Sequence, residues 1–343
     1  MRVLVTGSRG YIGSHLVQKL VAQGATVTGL DCDLYHGASF VCDPYDVPTI
    51  AKDIRDVVPA DLEGQDTVIH LAGLSNDPLG DLDPALTHDI NFVATSRLAQ
   101  AAKAAGVGRF VFSSSCSSYG IGGEDLLTEN SPLRPVTPYA VSKIRSEEAL
   151  DRLASDSFCT VSMRSGTAYG LSARIRFDLV VNNLTAWAKA TGQVRLKSDG
   201  SAWRPLVHAE DMAQAFVDAA FAPRVAVHRQ AFNVGKTEDS IQIKHLAEMV
   251  KAAITGTEIT FADEVSPDIR TYRVDCTKIK SIGFAPKWTV PAGIAALRDA
   301  LDANPVPVTE FEGPRYQRLA HIKGLIASGA VDKTLRWQKR AVA

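Results

Sequence analysis

Tyr139 and Lys143 lie four residues apart at the start of a segment with helix signals. Thr137 suits the N-cap, and Pro138 suits the first helical position, where its missing N–H costs nothing. The two side chains therefore share one helix face. Because the lysine ammonium and the positive helix N-terminus both favour phenolate, we expect the pKa of Tyr139 to lie below the ordinary value of about 10. A phenol tuned in this way could act as a general base near neutral pH.

A strand that ends in hydroxyl side chains comes before this helix. The apolar residues 109–112 predict the strand, and Ser113 and Ser115 belong to the serine run that follows it. A Tyr-x-x-x-Lys pair by itself is more often a surface tyrosine beside a solvated lysine. Its chemical meaning therefore depends on what the remainder of the chain supplies.

The N-terminal residues predict a nucleotide-binding turn. Residues 2–6 predict a strand, and Gly7, Gly10 and Gly13 follow it. An amphipathic helix comes next, and then a second strand that stops at Asp31. The glycines let backbone N–H groups approach a pyrophosphate at the helix N-terminus, and the acid can accept hydrogen bonds from ribose hydroxyls. Since a carboxylate here repels the 2′-phosphate of NADP, the pattern predicts NAD; the alternative is a structural turn with a solvated aspartate.

Two later segments could complete a cofactor pocket. Asp53 and Ile54 follow a short apolar segment and could meet the adenine. Residues 67–71 predict a buried strand that ends in Ala72 and Gly73, small residues that permit close approach of a cofactor.

Predicted strands and helices alternate through residues 1–170, which indicates an α/β protein with a Rossmann-type doubly wound parallel sheet. Beyond this point short strands and helices mix and carry isolated arginines and asparagines, as a smaller mixed α/β substrate-binding subdomain would. We therefore assign 1–170 to an NAD-binding domain with the Ser-Tyr-Lys site. Residues 171–304 are assigned to substrate binding, with some segments returning to the first domain, and 305–343 to a helical C-terminal extension.

Long helices are predicted at 84–105, which carries Asn91, and at 138–153, and both are candidate elements of a homodimer. The other predicted helices begin near Ile175 or span 210–222, 241–254 and 290–303, with two short ones within 311–337. A loop from Pro267 to Arg270 is expected to present a cation.

Composition limits the partners that this chain could have. With 343 residues, of which 45% are hydrophobic, it can bury a large core. The formal net charge of −1 gives no global field for nucleic acid or anionic membrane, and no apolar run approaches a bilayer span. Five scattered cysteines without a C-x-x-C pair argue against a disulfide framework and a structural zinc. We therefore expect a cytoplasmic globular protein without a metal.

Together these motifs resemble the extended short-chain dehydrogenase/reductases, and more narrowly their NAD-dependent nucleotide-sugar epimerase/dehydratase family. The likeness rests on the glycine spacing, Asp31, the Tyr-x-x-x-Lys pair, and Ser115 placed four residues before Tyr119 and Gly120. It covers about residues 1–303. The family implies NAD as cofactor and a nucleotide-diphosphate sugar as substrate.

The resemblance also assigns roles to single residues. It implies that Ser115 orients the sugar hydroxyl, that Tyr139 takes its proton and that Lys143 binds the nicotinamide ribose. The diphosphate-binding positions of the family fall on Asn183, Arg204 and Arg270, and arginine suits phosphate because it can make bidentate contacts. Structural ion pairs are the alternative for each arginine. The cofactor-binding residues expected from the motifs and the resemblance are Gly7, Gly10, Tyr11, Ile12, Gly13, Asp31, Asp53, Ile54, Leu71, Ala72, Gly73, Asn91, Ser113, Tyr139 and Lys143.

The reaction depends on the two residues after Ser115. Sugar 4,6-dehydratases of this family carry an Asp-Glu pair there, and decarboxylating members keep the Glu, whereas this chain has Cys116 and Ser117. Neither side chain is ionised near neutral pH as a carboxylate would be, unless the thiol is strongly activated. Elimination and decarboxylation are therefore disfavoured. Trp203, in place of a smaller residue of the family, could narrow the pocket.

These observations favour an NAD-dependent nucleotide-sugar epimerase that acts at C4 through a transient 4-keto sugar. One alternative is a nucleotide 4-ketosugar reductase, which would consume reduced cofactor. Another is a non-catalytic NAD-binding scaffold or sensor, although such proteins typically lack the tyrosine or the lysine.

Overall fold

A computed structural model describes residues 1–80, 82–261 and 270–338. Its strands, in chain order, are β1 (Arg2–Thr6), β2 (Thr26–Asp31), β3 (Thr49–Ala51), β4 (Thr67–His70), β5 (Arg109–Ser115), β6 (Ile121–Leu127), β7 (Cys159–Ser165), β8 (Thr167–Tyr169), β9 (Gln193–Leu196), β10 (Trp203–His208), β11 (Gln230–Val234), β12 (Ser240–Gln242), β13 (Glu258–Phe261) and β14 (Thr271–Val274). Its α-helices are α1 (Gly13–Ala22), α2 (Asp77–Gly80), α3 (Pro84–His88), α4 (Ala94–Ala104), α5 (Pro138–Leu153), α6 (Val180–Thr191), α7 (Ala209–Phe221), α8 (Arg224–Val227), α9 (Ile243–Ala253), α10 (Val290–Ala303), α11 (Val308–Phe311) and α12 (Arg318–Ala327).

The central sheet has seven strands in the order β11-β7-β5-β4-β1-β2-β3. All of its neighbouring strands pair in parallel. The strand order reverses beside β1, which pairs with β2 on one side and with β4 on the other. In such a sheet the crevice at the reversal, outside the carboxyl ends of the strands, is where a ligand binds. The predicted Rossmann-type sheet is confirmed.

Alternate residues of β1 point into two different cores. Val3 and Val5 pack with α1 and α7, for example against Leu16 and Phe216. Leu4 faces the opposite side of the sheet and packs in the cluster formed by α4 and its neighbours. This alternation is what a strand buried on both faces requires.

The later part of the chain builds a second, smaller α/β unit with its own core. Its strands form a three-stranded sheet, β12-β10-β8, and the pairs β13-β9 and β14-β6, to which the first 170 residues contribute β6 and β8. The core of this unit brings together α6, α9 and α10, with side chains such as Leu184, Leu246 and Leu297. Strand β11 returns to the central sheet, and α12 packs on the first half of the chain through Ile322. The boundaries drawn at 170 and 304 stay a prediction.

Most helices form where they are predicted. Helix α5 spans 138–153, and the Thr137 side chain accepts a hydrogen bond from the Ala140 N–H at 3.2 Å. The segment 84–105 is helical, but a five-residue π-helical segment, Asp89–Val93, separates α3 from α4.

Two helix boundaries differ from the prediction. The helix expected from Ile175 begins at Val180. The side-chain amides of Asn182 and Asn183 donate to the carbonyls of Arg176 and Phe177, respectively. These hydrogen bonds hold Arg176 and Phe177 outside the helix. In the C-terminal extension α11 ends at Phe311, so α12 is the α-helix that falls within the predicted range.

None of the helices in the three described ranges is long and apolar enough to span a bilayer. The five cysteines are all free. Residues 267–269 of the loop expected to present a cation lie outside the described residues, and Arg270 lies inside them.

Candidate active site

A cavity of about 610 Å³ opens at the carboxyl ends of β1, β2, β4 and β5. Its size suits a cofactor or small-molecule ligand. Residues at the ends of these strands or directly after them supply much of its wall, including Gly7, Asp31, Leu71 and Ser115. The sheet therefore brings together segments that are far apart in the sequence.

The glycine turn after β1 has no room for side chains at two of its positions. Gly7 has φ +71°, and a Cβ there would lie 2.9 Å from the Ala72 nitrogen. A Cβ on Gly13 would lie 2.0 Å from the Gly7 carbonyl oxygen. Helix α1 starts at this turn, and no side chain caps its N-terminus. Exposed backbone N–H groups at a helix N-terminus form a binding site for a phosphate, so this turn fits a dinucleotide pyrophosphate.

Asp31 is held at the end of β2 by two backbone hydrogen bonds. Its oxygens accept from the N–H groups of Arg9 at 2.9 Å and of Asp33 at 2.8 Å. Burial raises the pKa of this carboxyl above its ordinary value. The fixed carboxylate lines the cavity beside Asp53 and Ile54, as a ribose-binding acid near an adenine pocket would.

Ser115, Tyr139 and Lys143 lie on the wall of the same cavity. Lys143 donates through Nζ to the Ser113 carbonyl at 2.7 Å, and this nitrogen lies 5.4 Å from the centre of the Tyr139 ring. Ser115 is the last residue of β5, and its hydroxyl accepts a hydrogen bond from the Ser117 N–H at 3.1 Å. Strand β5 and helix α5 thus present the predicted Ser-Tyr-Lys set to one space.

The expected direction of the Tyr139 pKa shift was wrong. Burial of the phenol, together with the negative charge of Asp77, raises the pKa of Tyr139 to about 12. The neighbouring Ser115 hydroxyl and the charges of Arg176 and Arg270 lower this pKa, but their effects are smaller. Burial also lowers the pKa of Lys143 to about 8. The sequence showed the lysine and the helix N-terminus but not how deeply both side chains are buried, and burial disfavours each charged form.

Asp77 is a site residue that the motifs did not reveal. It is 6% exposed, lines the cavity, forms an ion pair with Arg270, and accepts a hydrogen bond from the Thr137 hydroxyl. It belongs to a polar run directly after β4 and Gly73. Polar residues that follow a buried parallel strand fall on the binding edge of the sheet, so the signal was present.

Arg204 and Arg270 both reach the cavity wall. Arg204 lies on β10 and donates to the Trp203 carbonyl at 2.9 Å and to the Arg270 carbonyl. The Trp203 ring packs against the Arg273 guanidinium, whose carbon lies 4.8 Å from the ring centre, and Trp203 is not one of the residues on the wall.

Two residues that are predicted to bind cofactor or substrate lie away from the cavity wall. The Asn91 side chain accepts from the Leu74 N–H at 2.8 Å and donates to the Leu74 carbonyl at 3.0 Å, so it fixes the loop after β4. The Asn183 amide donates to Phe177 and, at 2.9 Å, to a carboxylate oxygen of Glu312. Ligand contacts of Asn91 and Asn183 stay predictions. Every other residue predicted to bind cofactor or substrate lines the cavity.

The positions after Ser115 carry no carboxylate. Cys116 is fully buried, its thiol donates to the Arg164 carbonyl at 3.0 Å, and burial raises its pKa well above the ordinary value. Ser117 lines the cavity with a hydroxyl that has no hydrogen-bond partner within the described ranges. Neither side chain can act as an ionised base near neutral pH.

The fold and this site are those of a dinucleotide-binding protein: a parallel sheet with a turn that fits a pyrophosphate, and the predicted Ser-Tyr-Lys set beside it. The family model described as "NAD dependent epimerase/dehydratase family" matches residues 3–235, and the chain belongs to this family, a branch of the extended short-chain dehydrogenase/reductases. The protein is an enzyme, and NAD is its cofactor.

The relatives of this chain include proteins named as epimerases and proteins named as dehydratases. A UDP-glucose 4-epimerase of Mycolicibacterium smegmatis is 33% identical, over 86% of this chain and 96% of the relative. The structure of MoeE5 in complex with UDP-glucuronic acid and NAD is 27% identical with a TM-score of 0.76, over 88% of this chain and 99% of MoeE5. TunA, an NAD-dependent NDP-hexosamine 5,6-dehydratase, is 25% identical with a TM-score of 0.79, over 88% of this chain and 98% of TunA.

Proposed function

We propose that this enzyme is a nucleotide-sugar epimerase that inverts C4 of the sugar through a transient 4-keto intermediate. One observation carries the proposal. Ser115, Tyr139 and Lys143 share a cavity with the dinucleotide-binding turn, while Cys116 and Ser117 replace the acids that elimination needs. The 33% identity to a protein named UDP-glucose 4-epimerase supports it.

In this proposal Tyr139 accepts the proton of the C4 hydroxyl, and Ser115 orients that hydroxyl by hydrogen bonding. NAD, when bound, would supply the acceptor and then the donor for the hydride of C4. Lys143, held by the Ser113 carbonyl, positions the nicotinamide ribose beside the phenol. The 4-keto sugar turns over in the cavity, and Tyr139 gives the proton back to the C4 oxygen. Atoms and electrons balance, because one proton and one hydride leave C4–OH and both return.

Elimination of water would need a second group to remove a proton from the sugar carbon chain. The buried Cys116 thiol is unsuited, since its pKa lies far above neutral. Asp77 is a carboxylate on the wall, but its oxygens are engaged by Arg270 and Thr137. We therefore assign Asp77 a positioning role and not that of a base.

The substrate diphosphate is proposed to lie against Arg204 and Arg270. Both belong to the smaller unit and meet the NAD-binding half at the cavity wall. Arginine gives directional contacts to phosphate oxygens, which suits a nucleoside diphosphate. Residues 1–170 are thus proposed to bind NAD and 171–304 the substrate.

We also propose that the enzyme is a homodimer, built on the helices of segments 84–105 and 138–153. One face of helix α5 is exposed at Arg145, and the exposed Val136 lies just before this helix, so a partner subunit could pack there. Sedimentation equilibrium of the full chain tests this, and a monomer at all concentrations would exclude it.

One observation favours the second candidate, a nucleotide 4-ketosugar reductase. A Tyr139 pKa raised to about 12 keeps the phenol protonated at neutral pH, as a proton donor to a keto oxygen must be. A non-catalytic scaffold is less consistent with a site that keeps both Tyr139 and Lys143 on the wall.

A substrate panel separates these candidates. The full-length protein is purified, its bound NAD is measured, and UDP-, GDP-, CDP- and dTDP-sugars are followed by NMR. The epimerase proposal expects bound NAD and inversion at C4 without net cofactor consumption. If no sugar is inverted while a 4-keto sugar oxidises added reduced cofactor, the enzyme is a reductase.

A further inference from the structure

The C-terminal extension closes one side of the cofactor cavity. Its residues 313–338, here called the strap, contain α12 and a short antiparallel bridge between Val331 and Trp337. Gln317, Arg318 and Leu319 of the strap lie on the cavity wall, and Leu335 joins them from its end.

The strap is fastened to the backbone that follows Asp31. The Trp337 indole donates to the Cys32 carbonyl at 2.6 Å, and Nε2 of His321 lies 2.8 Å from the Leu34 carbonyl oxygen. Arg336 forms an ion pair with Asp56, in the turn after Ile54. These contacts lie where Asp31 and Asp53 place the adenosine half of the dinucleotide.

Arg318 is the charged residue of the strap that is most deeply buried, at 2% exposure. Its guanidinium carbon lies 3.9 Å from the centre of the Tyr35 ring, a cation–π contact. Nη2 donates to the Arg174 carbonyl at 3.0 Å. Nη1 is also buried, and it has no hydrogen-bond partner among residues 1–80, 82–261 and 270–338.

The carboxylates around Arg318 form their ion pairs with other arginines. Arg176 pairs with Asp178 at 2.8 Å, and Arg174 lies 3.6 Å from Asp33 and 4.0 Å from Asp43. Within the described ranges, Arg318 forms no such ion pair. A buried cation without an ion-pair partner is costly, and an anionic ligand beside it would offset that cost.

We infer that Arg318 binds the diphosphate of NAD through Nη1 and that the strap retains the cofactor. The position of Arg318 favours the dinucleotide over the substrate as the source of this phosphate. Its ring partner Tyr35 lies four residues after Asp31, and its charge is close enough to act on the Tyr11 hydroxyl of the glycine turn. The inference concerns cofactor binding and is the same for an epimerase and a reductase.

The test compares two ligands that differ in the diphosphate. Full-length protein, freed of nucleotide, is titrated with ADP-ribose and with adenosine by calorimetry, as wild type and as Arg318→Gln. We expect the variant to bind ADP-ribose about tenfold or more weakly, since a charge-assisted hydrogen bond is lost, and to bind adenosine as wild type does. Bound NAD after purification should fall in parallel. Arg315→Gln is the matched control. Like Arg318, Arg315 lies in the strap and stacks on a tyrosine ring, that of Tyr316, but it does not line the cavity.

Other outcomes overturn the inference. Equal losses for ADP-ribose and adenosine would give Arg318 a structural role only, and unchanged ADP-ribose binding would remove it from the site. The unfolding midpoint of nucleotide-free protein is a second readout. Replacing an unpaired buried cation should leave that midpoint unchanged or raise it, whereas a structural arginine would lower it. If Arg318→Gln does not fold, Arg318→Lys keeps the charge without the guanidinium geometry, and ADP-ribose binding as in wild type would contradict the inference.

Discussion

The Asp77 carboxylate forms an ion pair with the Arg270 guanidinium on the wall of the candidate active site. The same carboxylate accepts a hydrogen bond from Thr137, the N-cap of the helix that carries Tyr139. One side chain therefore connects a proposed substrate arginine, the start of α5 and the electrostatics of the proposed catalytic phenol.

Asp77→Asn should lower the pKa of Tyr139, because the negative charge of Asp77 helps to raise it. Phenolate is the form that accepts a proton, so at each pH below the pKa of Tyr139 the variant should reduce NAD with substrate faster than the wild type does. This rate is followed by the absorbance of reduced NAD between pH 6 and 10. Asp151→Asn, which breaks an exposed pair with Arg229, is the control and should leave the profile in place. If the pH profile of Asp77→Asn equals that of the wild type, the Asp77 charge does not affect the pKa of Tyr139.

Tyr139→Phe should reduce kcat by roughly 100- to 10,000-fold, the usual contribution of a positioned acid or base. The ring keeps its place, so bound NAD should stay at the wild-type level. Epimerisation is measured by NMR and NAD by absorbance of the denatured protein. Tyr316→Phe is the comparison, because that hydroxyl makes only a 3.4 Å contact with the Ser39 carbonyl. Wild-type turnover in Tyr139→Phe would exclude the phenol as the catalytic base.

Asp31→Asn should reduce the preference for NAD over NADP by roughly tenfold or more, since like charges at close range are costly and the substitution removes one of them. Dissociation constants for both cofactors are compared by calorimetry. Asp302→Asn serves as the control, because Asp302 is an exposed residue that pairs with Lys189 and does not line the cavity. An unchanged ratio in Asp31→Asn would argue against its role at the ribose.

Gly13→Ala should destabilise the protein by about 1–3 kcal/mol, because its Cβ would lie 2.0 Å from the Gly7 carbonyl oxygen and the turn must shift. The shift should also reduce bound NAD. Urea unfolding and NAD content are the measurements. Gly108→Ala is matched, since a Cβ there meets its nearest atom, the Asp66 carbonyl oxygen, at 3.6 Å. Normal stability and NAD content in Gly13→Ala would mean that the turn tolerates a side chain.

Features encoded in neighbouring residues were predictable from the sequence. The glycine turn between a strand and a helix helped to predict the parallel sheet, and Thr137 with Pro138 predicted the first residue of α5. Local patterns determine these elements, because capping and periodicity act over a few residues.

Features that depend on distant segments were not predictable. The pKa of Tyr139 depends on burial by several elements, and Asn183 is turned toward Glu312, which lies more than one hundred residues later. Arg318 meets Tyr35 only because α12 folds back on the NAD-binding half. No spacing rule connects such residues in a single sequence.

The return of β11 and the strap to the first half of the chain also sets an order of assembly. On the ribosome the glycine turn and Asp31 are made early, but the edge strand of the sheet arrives only at Gln230–Val234. The indole that fastens the strap, Trp337, comes later still. Because the strap supplies part of the wall, the dinucleotide pocket is complete only after the chain as far as Leu335 has been made and has folded back.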